Sequence, residues 1–252
     1  MAVRMVIIGG GPAGNTAATY AARLGAEVTL IESDVVGGAA HLWDCIPSKT
    51  MIATGAAMSF SRRIEGMGLS HQDAVLDVEA QRRRVMHIEG YLNGQVTTLL
   101  ESQGVRLIRG AGRVKGRHEV VAETEEGIEE LAADAILVST GSRPRIPDWA
   151  NPDGETILTT RQAYPPPTMP QHLVVIGSGV TGVEFVHMFS SFGAKVTLIV
   201  SRQQVLPGKD PEVPPLSRTL CCRGGCACSR GLGRPVSTPA EATWRSCATT
   251  GG

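Results

Sequence analysis

Residues 6–14 read Val6-Ile7-Ile8-Gly9-Gly10-Gly11-Pro12-Ala13-Gly14. A short apolar run, the pattern of a buried strand, ends on a Gly9-x-Gly11-x-x-Gly14 turn, and a helix-length segment follows. In such a turn Gly9 permits the sharp bend, Gly11 lets the backbone approach a pyrophosphate, and Gly14 lets helix and strand pack closely. The helix begins at Pro12, which needs no N–H there, and from Ala13 onward free N–H groups and the positive end of the helix dipole favour phosphate. Glu32 ends the next apolar strand, 23 residues after Gly9. A carboxylate at that distance accepts hydrogen bonds from an adenosine ribose. Strand before, helix after and acid in place together predict a dinucleotide site.

The pattern occurs twice. Residues 174–182, Val174-Val175-Ile176-Gly177-Ser178-Gly179-Val180-Thr181-Gly182, repeat it 168 positions later. The same offset carries Gly25-Ala26-Glu27-Val28-Thr29-Leu30-Ile31 onto Gly193-Ala194-Lys195-Val196-Thr197-Leu198-Ile199. Two βαβ units at so long a period mean two related domains rather than a solenoid. The expected fold is α/β: two Rossmann-like dinucleotide-binding domains with parallel sheets, the second incomplete. The first spans 1–148, with a small β-meander at 112–131, and the second spans 155–207. Helices are expected at 47–63 and 76–103, and strands at 105–108 and 135–139. In the second copy Gly177, Gly179, Val180, Thr181 and Gly182 would hold a dinucleotide. The position of Glu32 is taken by Val200, followed by Ser201 and Arg202. Arg202 is read either as facing a ribose 2′-phosphate, which leans towards NADPH or towards both coenzymes, or as a solvated charge.

A third stretch reads Gly37-Gly38-Ala39-Ala40-His41-Leu42-Trp43-Asp44-Cys45-Ile46-Pro47-Ser48-Lys49, and a fourth Leu137-Val138-Ser139-Thr140-Gly141-Ser142-Arg143-Pro144. With these in order, the chain resembles the pyridine nucleotide-disulfide oxidoreductases, flavoproteins that include dihydrolipoamide dehydrogenase and glutathione reductase. The likeness covers residues 3 to about 207. The second half of the family's redox motif, Cys45-Ile46-Pro47-Ser48-Lys49, is intact, but its first cysteine position holds Ala40.

The resemblance implies FAD in the first unit and NAD(P)H in the second. Gly38, Gly112, Thr140 and Gly141 join the FAD contacts. Lys49 falls near the flavin N5 and Glu184 pairs with it, although Glu184 also reads as a helix-surface carboxylate. A dithiol relay needs one thiol to attack and one to resolve, so Cys45 alone cannot supply it. Cys45 reads as a thiol activated at a helix start or as a packing residue. The form with Ala40 resembles the actinobacterial NAD(P)H quinone reductases of the family. That implies hydride passing from NAD(P)H to FAD and then to a quinone-type acceptor. A thiol–disulfide reductase, and a fragment that binds nucleotide without catalysis, are the other readings. Full-length relatives are homodimers whose dimerisation domain is not found here.

Composition narrows the classes. Of 252 residues, 24 are Lys or Arg and 24 are Asp or Glu, so the net charge of zero gives no sign of a nucleic-acid partner. Aromatics at 4% give little support for base stacking. No apolar run reaches the roughly 18 residues of a membrane span. With one cysteine in residues 1–210, the body reads as cytoplasmic. The other five cysteines, Cys221, Cys222, Cys226, Cys228 and Cys247, lie in 211–252 beside five prolines and no lysine. Their spacing fits no usual metal site. That tail is expected to stand outside the fold, as after a reading-frame shift near Asp210. Exposed edge strands and poor solubility are expected where the second sheet stops.

Overall fold

The computed structural model describes residues 2–64, 67–70, 74–200 and 205–208, together with the backbone of 227–230. The chain divides into two compact units, the first built from 1–47 and 82–145, the second from 48–81 and 146–252.

In the first unit, β1 (Arg4–Ile8) leads into α1 (Pro12–Arg23) and β2 (Glu27–Glu32). A short α2 (Gly38–Leu42) follows, then α3 (Cys45–Ser61) and α4 (Val78–Ser102), whose residues are divided between the two units. Strands β3 (Arg106–Arg109), β4 (Ala111–Gly116), β5 (Glu119–Thr124), β6 (Gly127–Ala132) and β7 (Ala135–Val138) complete it. The sheet is parallel, in the order β3-β2-β1-β7, and β4-β5-β6 form an antiparallel meander.

Alternation along β1 and β2 feeds two cores. Ile7, Val28 and Leu30 pack with Ala18 of α1 and Leu100 of α4. Four alanines of α1 (Ala17, Ala18, Ala21 and Ala22) let that helix lie close to the sheet. Val6, Ile8 and Ile31 turn to the other face, where Val120, Ala122 and Leu131 of the meander cover them. Each fully buried Ile or Leu here contributes about 1.5–3 kcal/mol. The start of α3 lies two residues earlier than the periodicity predicts, because Pro47 falls in the first turn, where no backbone N–H is needed.

The second unit contains β8 (His172–Ile176), α5 (Val180–Ser191) and β9 (Lys195–Val200). Strands β8 and β9 pair in parallel with the register of β1 and β2, His172 opposite Lys195 as Arg4 is opposite Glu27. Residues 48–81 join this unit through α3. Gly55 lies where a Cβ would come 2.9 Å from the Ser191 Cβ, and Arg62 Nη1 donates to the Ser191 carbonyl at 3.0 Å. Tyr164 stacks on Phe185 and Phe185 on Phe189 of α5, and Phe189 meets Phe192 edge to face.

The copies differ in cover. Val6 and Ile8 are 3% and 5% exposed, whereas Val174 and Ile176, at the same places of β8, are 40% and 60% exposed.

Within the stretch expected to lie outside the fold, Ala227–Arg230 forms β10, parallel to β9, with Ala227 opposite Thr197. Backbone pairing to an open strand edge asks little of side-chain pattern, so periodicity gives no warning of it. The rest of 211–252 lies outside the described residues, as do Ser201, Arg202 and Asp210.

Candidate functional site

The first glycine turn is held from three sides. Gly9 adopts φ +107° and donates its N–H to the Ile31 carbonyl at 2.8 Å. A Cβ on Gly9 would meet the carbonyl of Ser139, and Thr140 Cα lies 3.1 Å from the same point. The crossover end of β7, Ser139-Thr140-Gly141, is therefore laid directly against the turn. Ser139 Oγ donates to the Gly9 carbonyl at 2.9 Å. Gly141 takes φ +68°, so the chain bends away after it. A Cβ on Gly14 would run into the Gly9 carbonyl, which is why strand and helix join so tightly.

Glu32 braces the turn as well as facing outward from it. Its Oε2 accepts from the Gly10 N–H at 2.6 Å and its Oε1 from the Asp34 N–H at 2.8 Å. Each oxygen keeps a second lone pair with which to accept a ribose hydroxyl. The Gly37 N–H closes the far side on the Gly10 carbonyl at 2.8 Å. Gly38 stands so close to Gly11 that a Cβ on it would come 2.8 Å from Gly11 Cα.

What this arrangement leaves open is informative. Gly11 is the N-cap of α1, with no side-chain cap, and a Cβ on it would meet nothing within 4 Å. Pro12 follows at the first helical position. The N-terminus of α1, with Ala13 and Gly14, thus opens on a cradle lined by backbone, the arrangement that takes an anion. The residues present fit the pyrophosphate of a dinucleotide.

The second turn repeats the geometry. Gly177 has φ +112° and donates to the Ile199 carbonyl at 3.1 Å. Gly179 caps α5 at φ −71°, ψ −173°, against −73° and −173° for Gly11. A Cβ on Gly182 would meet the Gly177 carbonyl. Val180 and Thr181 open the helix, as Pro12 and Ala13 do in the first copy. Val200 is buried, so no carboxylate stands where Glu32 does.

Within the second unit, Lys49 Nζ lies 2.7 Å from Glu184 Oε1 and 3.3 Å from Ser48 Oγ. Ser48 is buried, so the lysine leaves α3 from an anchored backbone. Glu184 lies one half-turn beyond Gly182 on α5, which ties this carboxylate to the second glycine turn. Cys45 is exposed, at the first residue of α3. Ala40 sits within α2. His41, beside it, packs its ring against Gly37, its Nδ1 is buried without a hydrogen bond, and burial pushes its imidazolium pKa down. Gly112 faces the sheet, where a Cβ would come 2.7 Å from Ile8 Cγ2.

Pattern reading did not single out Gly10 or Leu206, although each completes a turn through backbone groups, which leave no compositional mark. Among the described residues no group of side chains could hold a metal ion, and no helix is long and apolar enough to cross a membrane.

Twin glycine turns on parallel sheets, with a crossover strand laid on the first and a Lys–Glu pair near the second, define a scaffold of two Rossmann-like units. The chain belongs to the pyridine nucleotide-disulphide oxidoreductase family, whose pattern it matches over residues 3–219. It is 42% identical over 224 residues to an NAD(P)H dehydrogenase (quinone) of Mycobacterium tuberculosis, covering 84% of this chain and 45% of that protein. It is 36% identical over 210 residues to a dihydrolipoyl dehydrogenase of Zymomonas mobilis, covering 83% of this chain and 45% of the relative. The crystal structure of LpdA from Mycobacterium tuberculosis superposes with a TM-score of 0.84 at 37% identity, over 90% of this chain and 51% of that one. The chain thus spans about half the length of the relatives it matches.

Proposed function

We propose that the chain carries the FAD and NAD(P)H sites of an oxidoreductase that delivers electrons to a quinone-type acceptor in the cytoplasm. What supports this reading is the combination of two glycine turns whose backbone is open at Gly11 and Gly179 with Ala40 in place of a dithiol partner for Cys45. Bound FAD would supply a two-electron relay between NAD(P)H and the acceptor. Gly9, Gly11, Ala13, Gly14, Glu32, Gly38, Thr140 and Gly141 would hold its adenosine diphosphate end. Gly177, Gly179, Val180, Thr181 and Gly182 would hold NAD(P)H, with NADPH or both coenzymes accepted because Val200 offers no acid to select NADH. Glu184 holds the Lys49 side chain in one place through their 2.7 Å contact, so that a positioned cation would be at hand for charge developing on a bound flavin. Cys45 has no resolving thiol in the Ala40 position, so its role is not that of a disulfide relay.

The test uses the full chain, purified and supplied with FAD. NADPH- or NADH-dependent reduction of menadione or benzoquinone, with lipoamide left unreduced, is the expected result. Reduction of lipoamide without quinone activity would transfer the chain to the thiol–disulfide class. A colourless protein that retains no flavin would leave only the reading as a non-catalytic fragment.

A further inference from the structure

Among the described residues, Leu206 alone combines a side chain with a left-handed backbone, at φ +53°. Such a conformation is disfavoured for a residue with a Cβ and persists where surrounding structure demands it. Its place is informative. Counting 168 positions back, Leu206 corresponds to Gly38, which takes φ +57°, and Ser178 corresponds to Gly10. In the first copy the Gly37 N–H closes on the Gly10 carbonyl at 2.8 Å. In the second, the Leu206 N–H closes on the Ser178 carbonyl at 2.7 Å. Val205, buried at 5% exposure, anchors the strap that makes this contact. Both copies thus tie the middle residue of the glycine turn from outside. The first does so with glycines, which take the conformation at no steric cost, and the second with a leucine.

We infer that Leu206 is a positioning residue for the second nucleotide site. Its backbone N–H latches the Ser178 carbonyl, and so orients that peptide unit, whose N–H belongs to Gly179 at the start of α5. A latched peptide presents that donor in one direction before the ligand arrives, which lowers the ordering cost of binding a pyrophosphate. The inference rests on the reading of the second turn as the NAD(P)H site. It assigns the work to the backbone at 206 and none to the leucine side chain.

That division sets the test. Glycine tolerates the left-handed conformation and keeps the N–H, whereas valine keeps an apolar side chain and the N–H but resists the conformation more than leucine does. Binding of two redox-inert probes, ADP-ribose and its 2′-phosphate, is measured by calorimetry on full-chain L206G and L206V, with circular dichroism confirming the fold. The latch predicts that L206G binds the preferred probe within about twofold of the parent chain or tighter. It predicts that L206V binds it about fivefold more weakly, the loss expected from strain of this order. The reverse order, with L206V retained and L206G weakened, would assign the effect to the side chain and overturn the inference, as would equal binding by all three proteins. A parent chain that binds neither probe removes the nucleotide site itself and the latch with it.

Discussion

Gly11→Ala and Gly14→Ala add the same methyl group three residues apart, with opposite consequences. At Gly11 the backbone is at φ −73°, which any residue adopts, and the added carbon meets nothing within 4 Å. The cost to the fold is that of exchanging glycine for alanine at an N-cap, within about 1 kcal/mol. The methyl group stands, however, where a pyrophosphate must approach the backbone. At Gly14 the added carbon overlaps the Gly9 carbonyl and lies 2.9 Å from Ser139 Oγ. Neither obstacle moves freely, because Ser139 Oγ donates to that carbonyl and the Gly9 N–H is tied to Ile31. Overpacking against a fixed group costs about 1–3 kcal/mol, at the upper end here, of which alanine's better helix propensity returns up to about 1 kcal/mol. A net loss of about 2 kcal/mol lowers the unfolding midpoint by roughly 4–8 °C in a protein of this size. The assay is thermal unfolding by circular dichroism beside flavin content by absorbance. Gly11→Ala is expected to melt near the parent chain but lose FAD, and Gly14→Ala to melt early. A Gly11→Ala protein with full flavin, or a Gly14→Ala protein with an unshifted midpoint, would refute the reasoning.

Three further outcomes follow from charged groups. Arg4, hydrogen-bonded through its side chain and its backbone N–H to Asp134, holds that carboxyl down to about 2. Its stabilisation is therefore complete above the ordinary carboxylate value and is lost as pH falls towards 2, so Asp134→Asn should unfold more easily than the parent at pH 6 and match it near pH 2. Desolvation on α4 pushes the Glu89 carboxyl up to about 7. Stability from that group is present below its ordinary value of 4.5 and lost as pH rises through about 7, so Glu89→Gln should melt above the parent at pH 8 and level with it at pH 4. Glu184→Gln removes the charge opposite Lys49, a pair half in solvent that contributes within about 1 kcal/mol to folding. The expected result is a several-fold slower reduction by NAD(P)H with a nearly unchanged melting midpoint.

The two turns were legible because glycine spacing is a direct record of backbone geometry. Gly9, Gly14, Gly177 and Gly182 occupy places where a Cβ either needs a left-handed backbone or meets a carbonyl. The Lys49–Glu184 contact joins residues 135 positions apart, and no local pattern carries it. Only the resemblance to a known family suggested it. The grouping of residues 48–81 with the second unit was not legible either. Helix α3 gathers its apolar residues on no single face, so its periodicity does not say which core it serves. Gly112 was expected among the FAD contacts, and the structure gives it a packing reason of its own against Ile8 and Ile31. Strand β10 and the Leu206 strap depend on backbone hydrogen bonds, to which side-chain pattern is blind.

The unequal cover of β1 and β8 makes the molecule its own calibration. Ile8 and Ile176 share residue type, strand position and an isoleucine opposite, Ile31 and Ile199. One is sealed beneath a meander and the other is 60% exposed. Truncation of the first to alanine should cost about 2–5 kcal/mol, and truncation of the second only a small part of that. The difference between these two measurements, made in one chain under one set of conditions, isolates what a covering layer adds to a strand that is otherwise the same.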